Sequence, residues 1–300
     1  MLLSVLLASL FFSGLYRFNN KYTQHTTQPI SGLLILSETD MEQHPSRYLW
    51  HDWAYYPNVL LTPADFQDGS PDRYMTYVNL QSGNRMDLSG QSDQARFGCG
   101  TYLLRIQVPN THISYSLDMP EVFSAYRLYI NGNPALSIGN PDPDHYQDAT
   151  GSRLITFFPD ENGRITILIA VSNQSYFYSG MTFPQAFGTP QALNYTRGIR
   201  LGLRLCTIFM FQIAILVCGY FWFRTRHKNA ALLALLCLLM IGWTVYPLLH
   251  TLFLLPVFPT YWLETLCCYG TLALLLYLHN QVCGIRSEER RVGKECRSRW

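Results

Sequence analysis

The sequence has 300 residues, of which 48% are hydrophobic and 14% are charged, with 22 basic and 20 acidic side chains. A chain of this length suits two domains, and its nearly balanced charge provides no basic surface of the kind that binds nucleic acid. Of the eight cysteines, only Cys99 lies outside the apolar runs and the C-terminal tail. We therefore expect no disulfide inside a soluble domain and no cysteine-based metal site.

The chain begins with a short apolar run, residues 1–16, with the sequence MLLSVLLASLFFSGLY. Such a run is typical of a segment that directs a chain across a membrane. No basic residue precedes its apolar centre, and no clear pair of small residues marks a cleavage site. A signal peptide and an uncleaved anchor therefore both stay open.

Residues 30–196 have the pattern of a β-rich domain. Short runs of aromatic and β-branched residues alternate with turn signals, and helical periodicity is nearly absent. Asn131-Gly132 predicts a tight turn after one strand, and residues 159–163 predict a hairpin loop between two others. We predict a β-sandwich. The expected strands are 32–37, 73–80, 101–108, 125–130, 154–158 and 164–171.

Long uncharged segments follow this domain. Residues 205–223 contain no charged side chain, and as a helix they would come close to the ~30 Å core of a bilayer. The next uncharged stretch, 229–263, is too long for one crossing and contains Pro247, Pro256 and Pro259. We therefore expect a loop at residues 250–262, resting at the membrane interface. The predicted membrane spans are 203–223, 230–249 and 263–283.

The orientation in the membrane follows from the N-terminal run and not from loop charge. Arg197, Arg200 and Arg204 precede the first span, and three basic residues also follow it, so the charges balance. Because the N-terminal run starts translocation, we expect residues 17–198 to be extracellular. The same three arginines share one helical face. They either pair with acids of the domain and couple it to the helices, or extend to lipid headgroups.

The last fifteen residues, 286–300 (RSEERRVGKECRSRW), differ from the rest of the chain. They resemble the in-frame translation of a common sequencing-adapter oligonucleotide, so they are excluded from fold reasoning. Without their six basic and three acidic residues the chain has 16 basic and 17 acidic residues. We predict that the natural sequence was cut at about Ile285, so that whatever followed it is missing here, and that the tail packs against nothing. A natural basic tail is the alternative.

Six segments, in this order, resemble the exterior domain and first helix of one bacterial receptor family. That family is the seven-transmembrane receptors with diverse intracellular signalling modules, and the resemblance covers residues 30–285. The segments are 52–66 (DWAYYPNVLLTPADF), 100–106 (GTYLLRI), 125–132 (AYRLYING), 164–173, 183–188 (FPQAFG) and 196–202 (TRGIRLG).

This resemblance implies a jelly-roll domain like the galactose-binding domains, outside a bacterial cell membrane. It also implies seven helices, of which three are present here, and a cytoplasmic output module such as a histidine kinase, through which a homodimer would form. The ligand would be an unidentified small molecule or carbohydrate. The chain lacks the basic residues that usually open the family's N-terminus.

Two groups of residues are candidate binding sites. Trp50, Trp53, Tyr55 and Tyr56 form an aromatic cluster that would suit a sugar ring, although aromatic residues beside a strand also serve as core packing. Asp142, Asp144 and Asp148 lie in one loop with His145. Hard cations prefer such oxygen ligands, but the spacing of an EF-hand is missing and an ordinary solvated loop has the same composition.

Catalytic signals are weak in this sequence. His51-Asp52 and His112 have no serine or cysteine in a nucleophile motif, and no glycine-rich phosphate loop occurs, so we expect no cofactor. A pair of glycosidase carboxylates stays open. Glu264 is the only acid in the membrane segments, and we expect it at the interface. The leading hypothesis is the ligand-sensing and membrane part of a receptor whose cytoplasmic output module is missing, so we expect this part to have no catalytic activity by itself. The alternatives are a membrane-anchored carbohydrate-binding or carbohydrate-acting protein and a transport component.

Overall fold

The computed structural model describes residues 2–19, 21, 26–80, 97–175 and 180–297, with the backbone alone for 2–5, 8, 18, 19 and 282–297. The chain divides into two units. One consists of Met1–Arg197 and Thr251–Val257, and the other of Gly198–His250 and Phe258–Trp300.

In its described residues, the first unit contains two β-sheets. The strands are β1 (Leu33–Ile35), β2 (Ser46–Leu49), β3 (Trp53–Pro57), β4 (Thr76–Val78), β5 (Gly98–Gln107), β6 (Tyr115–Met119), β7 (Ala125–Ile130), β8 (Asn133–Ile138), β9 (Arg153–Phe157), β10 (Arg164–Asn173) and β11 (Gln185–Gly188). The larger sheet has the strand order β4-β3-β5-β10-β7-β8, with β1 parallel to β5, and the smaller has the order β2-β11-β6-β9. Two helices also occur, α1 (Leu2–Asn19) and α2 (Glu38–Gln43).

The core lies between the two sheets. Leu104 and Ile167 of the larger sheet pack in one fully buried cluster with Leu117 and Phe187 of the smaller sheet. Burying one such side chain contributes about 1.5–3 kcal/mol relative to leaving it in water. Because successive side chains of a strand point to opposite faces, the alternating sequence pattern places one apolar face of each sheet inward. The predicted β-sandwich is confirmed.

Two connections test the turn predictions. The Asn131-Gly132 turn is confirmed, since both residues have positive φ, 50° and 80°, and join β7 to β8. The hairpin predicted at residues 159–163 is wrong. β9 pairs with β6 in the smaller sheet and β10 pairs with β5 and β7 in the larger sheet, so this segment connects the two sheets. A turn signal indicates where a chain reverses but carries no information about the strand's pairing partner.

The strand pattern also leaves several elements unpredicted. β2, β6, β8 and β11 are four to six residues long and contain polar residues or proline, so their alternation is short. The short helix α2 occurs inside the β-rich region, where Ser37 and Asp40 form a reciprocal capping box at its N-terminus. Such a cap stabilises a helix that is too short to persist alone.

The apolar helices follow the sandwich. They are α3 (Pro190–Thr225), α4 (Lys228–Leu252) and α5 (Val257–Arg297), and α5 is interrupted by non-helical Phe258. By length and composition, three helices of the described chain are able to cross a membrane. The predicted spans 203–223 and 230–249 lie inside α3 and α4. The third, 263–283, lies within α5, although side chains beyond Gln281 are not described.

The loop expected at residues 250–262 is shorter than predicted. α4 extends to Leu252 and contains Pro247, and α5 begins at Val257. Proline is tolerated inside membrane helices because neighbouring groups satisfy the freed backbone, so its presence does not end the helix. The adapter-like tail, 286–300, lies outside the residues whose side chains are described, and the proposals about it stay predictions.

Candidate functional site

The four predicted aromatic residues do not form one surface. Trp53 and Tyr55 belong to the core between the sheets, with 0% and 1% exposure, whereas Tyr56 is buried on the other face of the larger sheet. The Trp53 indole donates a 2.9 Å hydrogen bond to the Leu49 carbonyl. Trp50 packs, partly buried, with a third cluster. The geometry therefore supports packing, and not ligand stacking, for this group.

The acidic loop is held together by hydrogen bonds between its own residues. The Asp142 carboxylate accepts a 3.2 Å hydrogen bond from the Asp144 backbone, and an isolated bridge joins Asn140 to Gln147 at the base of the loop. In the part of the chain that the structure describes, no group of three or more His, Cys, Asp or Glu side chains is arranged to hold a metal ion. Asp142, Asp144 and Asp148 thus share no cation site there.

A cleft of about 350 Å³ lies on the outer face of the larger sheet, the face turned away from the sandwich core. Three strands, the β7–β8 turn and two loops surround it. Its lining residues are Pro63, Phe66, Leu103, Arg105, Tyr129, Asn131, Gly132, Asp160, Arg164, Thr166 and Leu168.

Strand register brings two basic residues together in this cleft. Arg105 of β5 lies directly opposite Thr166 of β10, and Arg164 follows two residues away on the same face. Diagonal neighbours of this kind are about 7–8 Å apart, within reach of long side chains. Both arginines are exposed. The charged end of the cleft therefore consists of two guanidinium groups with a threonine hydroxyl beside them.

The other end of the cleft is apolar. Leu103 of β5 lies opposite Leu168 of β10, and Tyr129 of β7 lies beyond Leu168 in the same row. Leu103 and Leu168 are 4% and 3% exposed and pack with half-buried Phe66. The cleft therefore has a cationic end and an apolar end, both on the same face of the larger sheet.

The wall that carries Phe66 is fixed to the sheet by a buried hydroxyl. Thr101 Oγ1 donates to the Val59 carbonyl (2.7 Å) and accepts from the Leu61 amide (2.8 Å). A short 3₁₀ helix, Pro63–Phe66, follows, and Thr62 is its N-cap residue. The Thr62 amide donates a 2.7 Å hydrogen bond to the Asp65 carboxylate. Hydrogen bonds from Thr62 lower the pKa of Asp65. The wall is therefore held in place without a ligand.

The opposite rim is the Asn131-Gly132 turn. The Asn131 side chain accepts a 2.8 Å hydrogen bond from the Thr166 amide and donates a 3.1 Å bond to the Phe158 carbonyl. These contacts hold the turn against β10. Asn131 therefore shapes the cleft, and its polar atoms are already in use.

One acid lies among the lining residues. Oδ1 of Asp160 accepts hydrogen bonds from the backbone amides of Asn162 (3.0 Å) and Arg164 (2.7 Å), which fix the carboxylate in its turn. Against its single negative charge, the lining has the two positive charges of Arg105 and Arg164. The lining thus has a net charge of one positive unit.

The sequence analysis did not identify Arg105, Arg164, Tyr129 or Phe66 as site residues. The available signal was weak: Arg105 and Arg164 are basic residues at outward positions of strands that are otherwise apolar. Only the pairing of β5 with β10 brings the two arginines together, and no local sequence pattern predicts which strands pair.

A second group of contacts lies where the sandwich leads into α3. In the smaller sheet Tyr48, Ala186, Asp118 and Leu154 form one row across four strands. Leu193, near the start of α3, is buried with Tyr48 and Ala186. Four residues later Arg197 pairs with Asp118, Nη1 to Oδ1, at 2.9 Å.

The connection between α4 and α5 makes comparable contacts inside the first unit. Thr150 and Leu255 form an antiparallel bridge, with the Thr150 amide 2.8 Å from the Leu255 carbonyl. Arg153 also donates to the Thr251 carbonyl at 3.2 Å. Of the loop expected at the membrane interface, the segment Thr251–Val257 thus belongs to the sandwich unit. Arg200 and Arg204, the other predicted coupling residues, belong to the second unit.

No protein-family model and no curated protein matches this sequence. Among solved structures, a GH2 β-galacturonidase from Eisenbergiella tayi has 11% identity and a TM-score of 0.33 over 48% of this chain and 24% of that one. A β-glucuronidase from Ruminococcus gnavus has 11% identity and a TM-score of 0.35 over 48% and 29%. A β-glucuronidase from Bacteroides uniformis has 14% identity and 0.36 over 47% and 17%. The chain therefore matches less than a third of each enzyme, and similarities this low assign it no activity.

Proposed function

We propose that this chain is the ligand-sensing and membrane-spanning part of a bacterial signal-transduction receptor. The sandwich, which we infer to be a galactose-binding-like jelly roll, lies outside the cell and takes the ligand in its outer cleft. The apolar helices carry the signal across the membrane. A cytoplasmic output module is encoded beyond residue 285. The resemblance to the receptor family implies that this module is a histidine kinase, through which two chains form a homodimer.

One observation supports coupling over simple anchoring. The sandwich unit includes both the start of α3 and the segment Thr251–Val257, so two of its segments lead directly into apolar helices. The Asp118–Arg197 pair holds the first and the Thr150–Leu255 bridge holds the second. A ligand shifts an equilibrium only through contacts that differ between two states. We propose that the contacts where the chain enters the helices differ between the ligand-free and the ligand-bound state.

The gene tests this proposal most directly. We expect the uninterrupted reading frame beyond codon 285 to encode further apolar helices and then a signalling module. A stop codon close to codon 285, or a secreted enzyme domain in that place, would refute the receptor function.

A separate assay addresses the carbohydrate-acting alternative. The full chain in lipid nanodiscs is incubated with 4-nitrophenyl glycosides and uronides, and nitrophenol release is measured. We expect release no faster than from empty nanodiscs. Release that is lost when Asp160 is replaced by Asn would instead place a hydrolase in the cleft.

A further inference from the structure

We infer that the outer cleft of the larger sheet binds a small organic anion, a carboxylate or a phosphate ester attached to an apolar or aromatic body. This inference deepens the proposed function, because it names the chemical class of ligand that the receptor would sense.

The charged end suits a planar or tetrahedral oxyanion. Arg105 and Arg164 project from the same sheet face as diagonal neighbours, with Thr166 directly opposite Arg105. A guanidinium group presents parallel N–H donors that match the oxygens of a carboxylate or phosphate, and such charge-assisted bonds are about twice as strong as neutral ones. Two guanidinium groups and one hydroxyl supply more donors than a neutral ligand would use.

The charge of the lining favours an anion as well. No described residue forms an ion pair with Arg105 or Arg164 within 4.0 Å, while Oδ1 of Asp160 already accepts two backbone hydrogen bonds. A bound anion would therefore be attracted by two cations and repelled by one carboxylate.

The apolar end of the cleft favours a ligand that has an apolar part in addition to its anionic group. Leu103, Leu168 and Phe66 form a floor and wall beside Tyr129. Moving an apolar group out of water onto such a surface is favourable, because it removes apolar area from water. An anion with a ring or alkyl body should thus bind more tightly than the same anion without one.

The size of the cleft limits the ligand. Its volume of about 350 Å³ lies at the lower end of the range of small-molecule pockets. The wall at residues 59–66 is held by Thr101 independently of any ligand, so little ordering is required on binding. This geometry fits a compact molecule, such as one aromatic ring system with an acidic group.

The test uses the full chain in lipid nanodiscs and isothermal titration calorimetry. Two acids are paired with neutral partners of the same body: indole-3-acetate with indole-3-acetamide, and phenyl phosphate with phenol. Acetate and inorganic phosphate serve as anions without a body. We expect at least one acid to bind at least tenfold more tightly than both its neutral partner and the corresponding anion without a body, acetate or inorganic phosphate.

Substitutions locate the binding. Arg105→Gln and Arg164→Gln should each weaken the acid at least tenfold and leave the neutral partner unchanged. Arg127→Gln is the matched control, because Arg127 is exposed on the same outer face but does not line the cleft. Thermal unfolding of all three variants should match that of the parent, which separates lost binding from lost folding.

Three results would overturn the inference: equal affinity for acid and neutral partner, equal loss with Arg127→Gln, or no binding of either acid at about 10 mM. The acid that binds distinguishes a carboxylate from a phosphate ligand. A cleft that fails this test leaves the receptor function standing, because the reading frame beyond residue 285 decides that function independently. Conversely, a frame without a signalling module refutes the receptor even when the cleft binds acids.

Discussion

Arg197 Nη1 lies 2.9 Å from Asp118 Oδ1 and joins the first turns of α3 to the central strand β6. Both side chains are largely shielded from water, with 24% and 15% exposure. Leu193, one helical turn earlier, is buried against the same row of the smaller sheet. Since residues four apart share a helical face, one face of α3 carries both the apolar and the ionic contact.

We expect Asp118 and Arg197 to be energetically coupled. Asp118→Asn, Arg197→Gln and the double variant form a double-mutant cycle, read by denaturant unfolding of the sandwich in the full chain. A partly buried pair should give a coupling energy of about 1–2 kcal/mol, above the range of exposed pairs. Strictly additive effects of the two substitutions would show that the pair contributes nothing.

The cleft wall should depend on the hydroxyl of Thr101. Thr101→Val keeps the shape of the side chain but leaves the Leu61 amide and the Val59 carbonyl without their partner. The expected loss is about 1–3 kcal/mol of unfolding free energy, with faster amide exchange in residues 59–66. Thr101→Ser keeps the hydroxyl and is the control. Equal losses in both variants would mean that methyl packing, and not hydrogen bonding, holds the wall.

The contact between β2 and β11 should require glycine at position 188. A Cβ on Gly188 would overlap the Pro45 carbonyl and lie 2.8 Å from the Ser46 Cα, both of which are backbone atoms. Gly188→Ala should therefore destabilise the sandwich by about 1–3 kcal/mol, as overpacking does. Gly202→Ala in α3 is the control, because no atom of the described residues lies within 4 Å of its added Cβ. A neutral Gly188→Ala variant would contradict this packing.

The cap of α2 should weaken in acid. Hydrogen bonds from the side chains of Ser37 and then Thr27 lower the pKa of Asp40 from 3.8 to about 2. Because this folded-state pKa is depressed, the stabilisation is present above pH 3.8 and is lost as the pH falls through about 2. Carboxyl ¹³C NMR should report the low pKa, and the protection of the amides of residues 38–43, taken relative to the intrinsic exchange rate at each pH, should fall over that window.

Asp40→Asn supplies the control for this titration. The variant cannot ionise at position 40, so the protection of its α2 amides, taken relative to the intrinsic exchange rate at each pH, should no longer change between pH 4 and pH 2. An Asp40 pKa close to 3.8 would show that the hydrogen bonds from Ser37 and Thr27 do not persist in solution.

The proposed topology predicts which sites a membrane-impermeant maleimide reaches in intact cells. In a background with the native cysteines replaced, Glu161→Cys should label and Thr225→Cys should not. The reason is that a folded domain with 27 charges cannot rest in lipid, and the apolar run at residues 1–16 is of the kind that starts translocation. A permeant maleimide should label both sites. Labelling of Thr225→Cys alone by the impermeant reagent would reverse the topology and refute the receptor function.

The sequence by itself determined the elements whose signal is local. Uncharged runs such as residues 205–223 identify helices that are long and apolar enough to cross a membrane, because the cost of a charge in lipid acts residue by residue. Alternation along residues 101–108 and 164–171 indicates strands with one buried face. Asn131-Gly132 predicts its turn because few residues tolerate positive φ. Each of these inferences depends on neighbours within a few positions.

The tertiary structure alone decided which distant segments meet. Pairing of β10 with β5 placed Arg164 beside Arg105, and pairing of β9 with β6 turned a predicted hairpin into a connection between sheets. The bridge between Thr150 and Leu255 drew the α4–α5 connection into the sandwich unit. Backbone hydrogen bonds are the same for every residue type, so partner and register follow from packing of the whole core. The cleft exists only once that packing is complete.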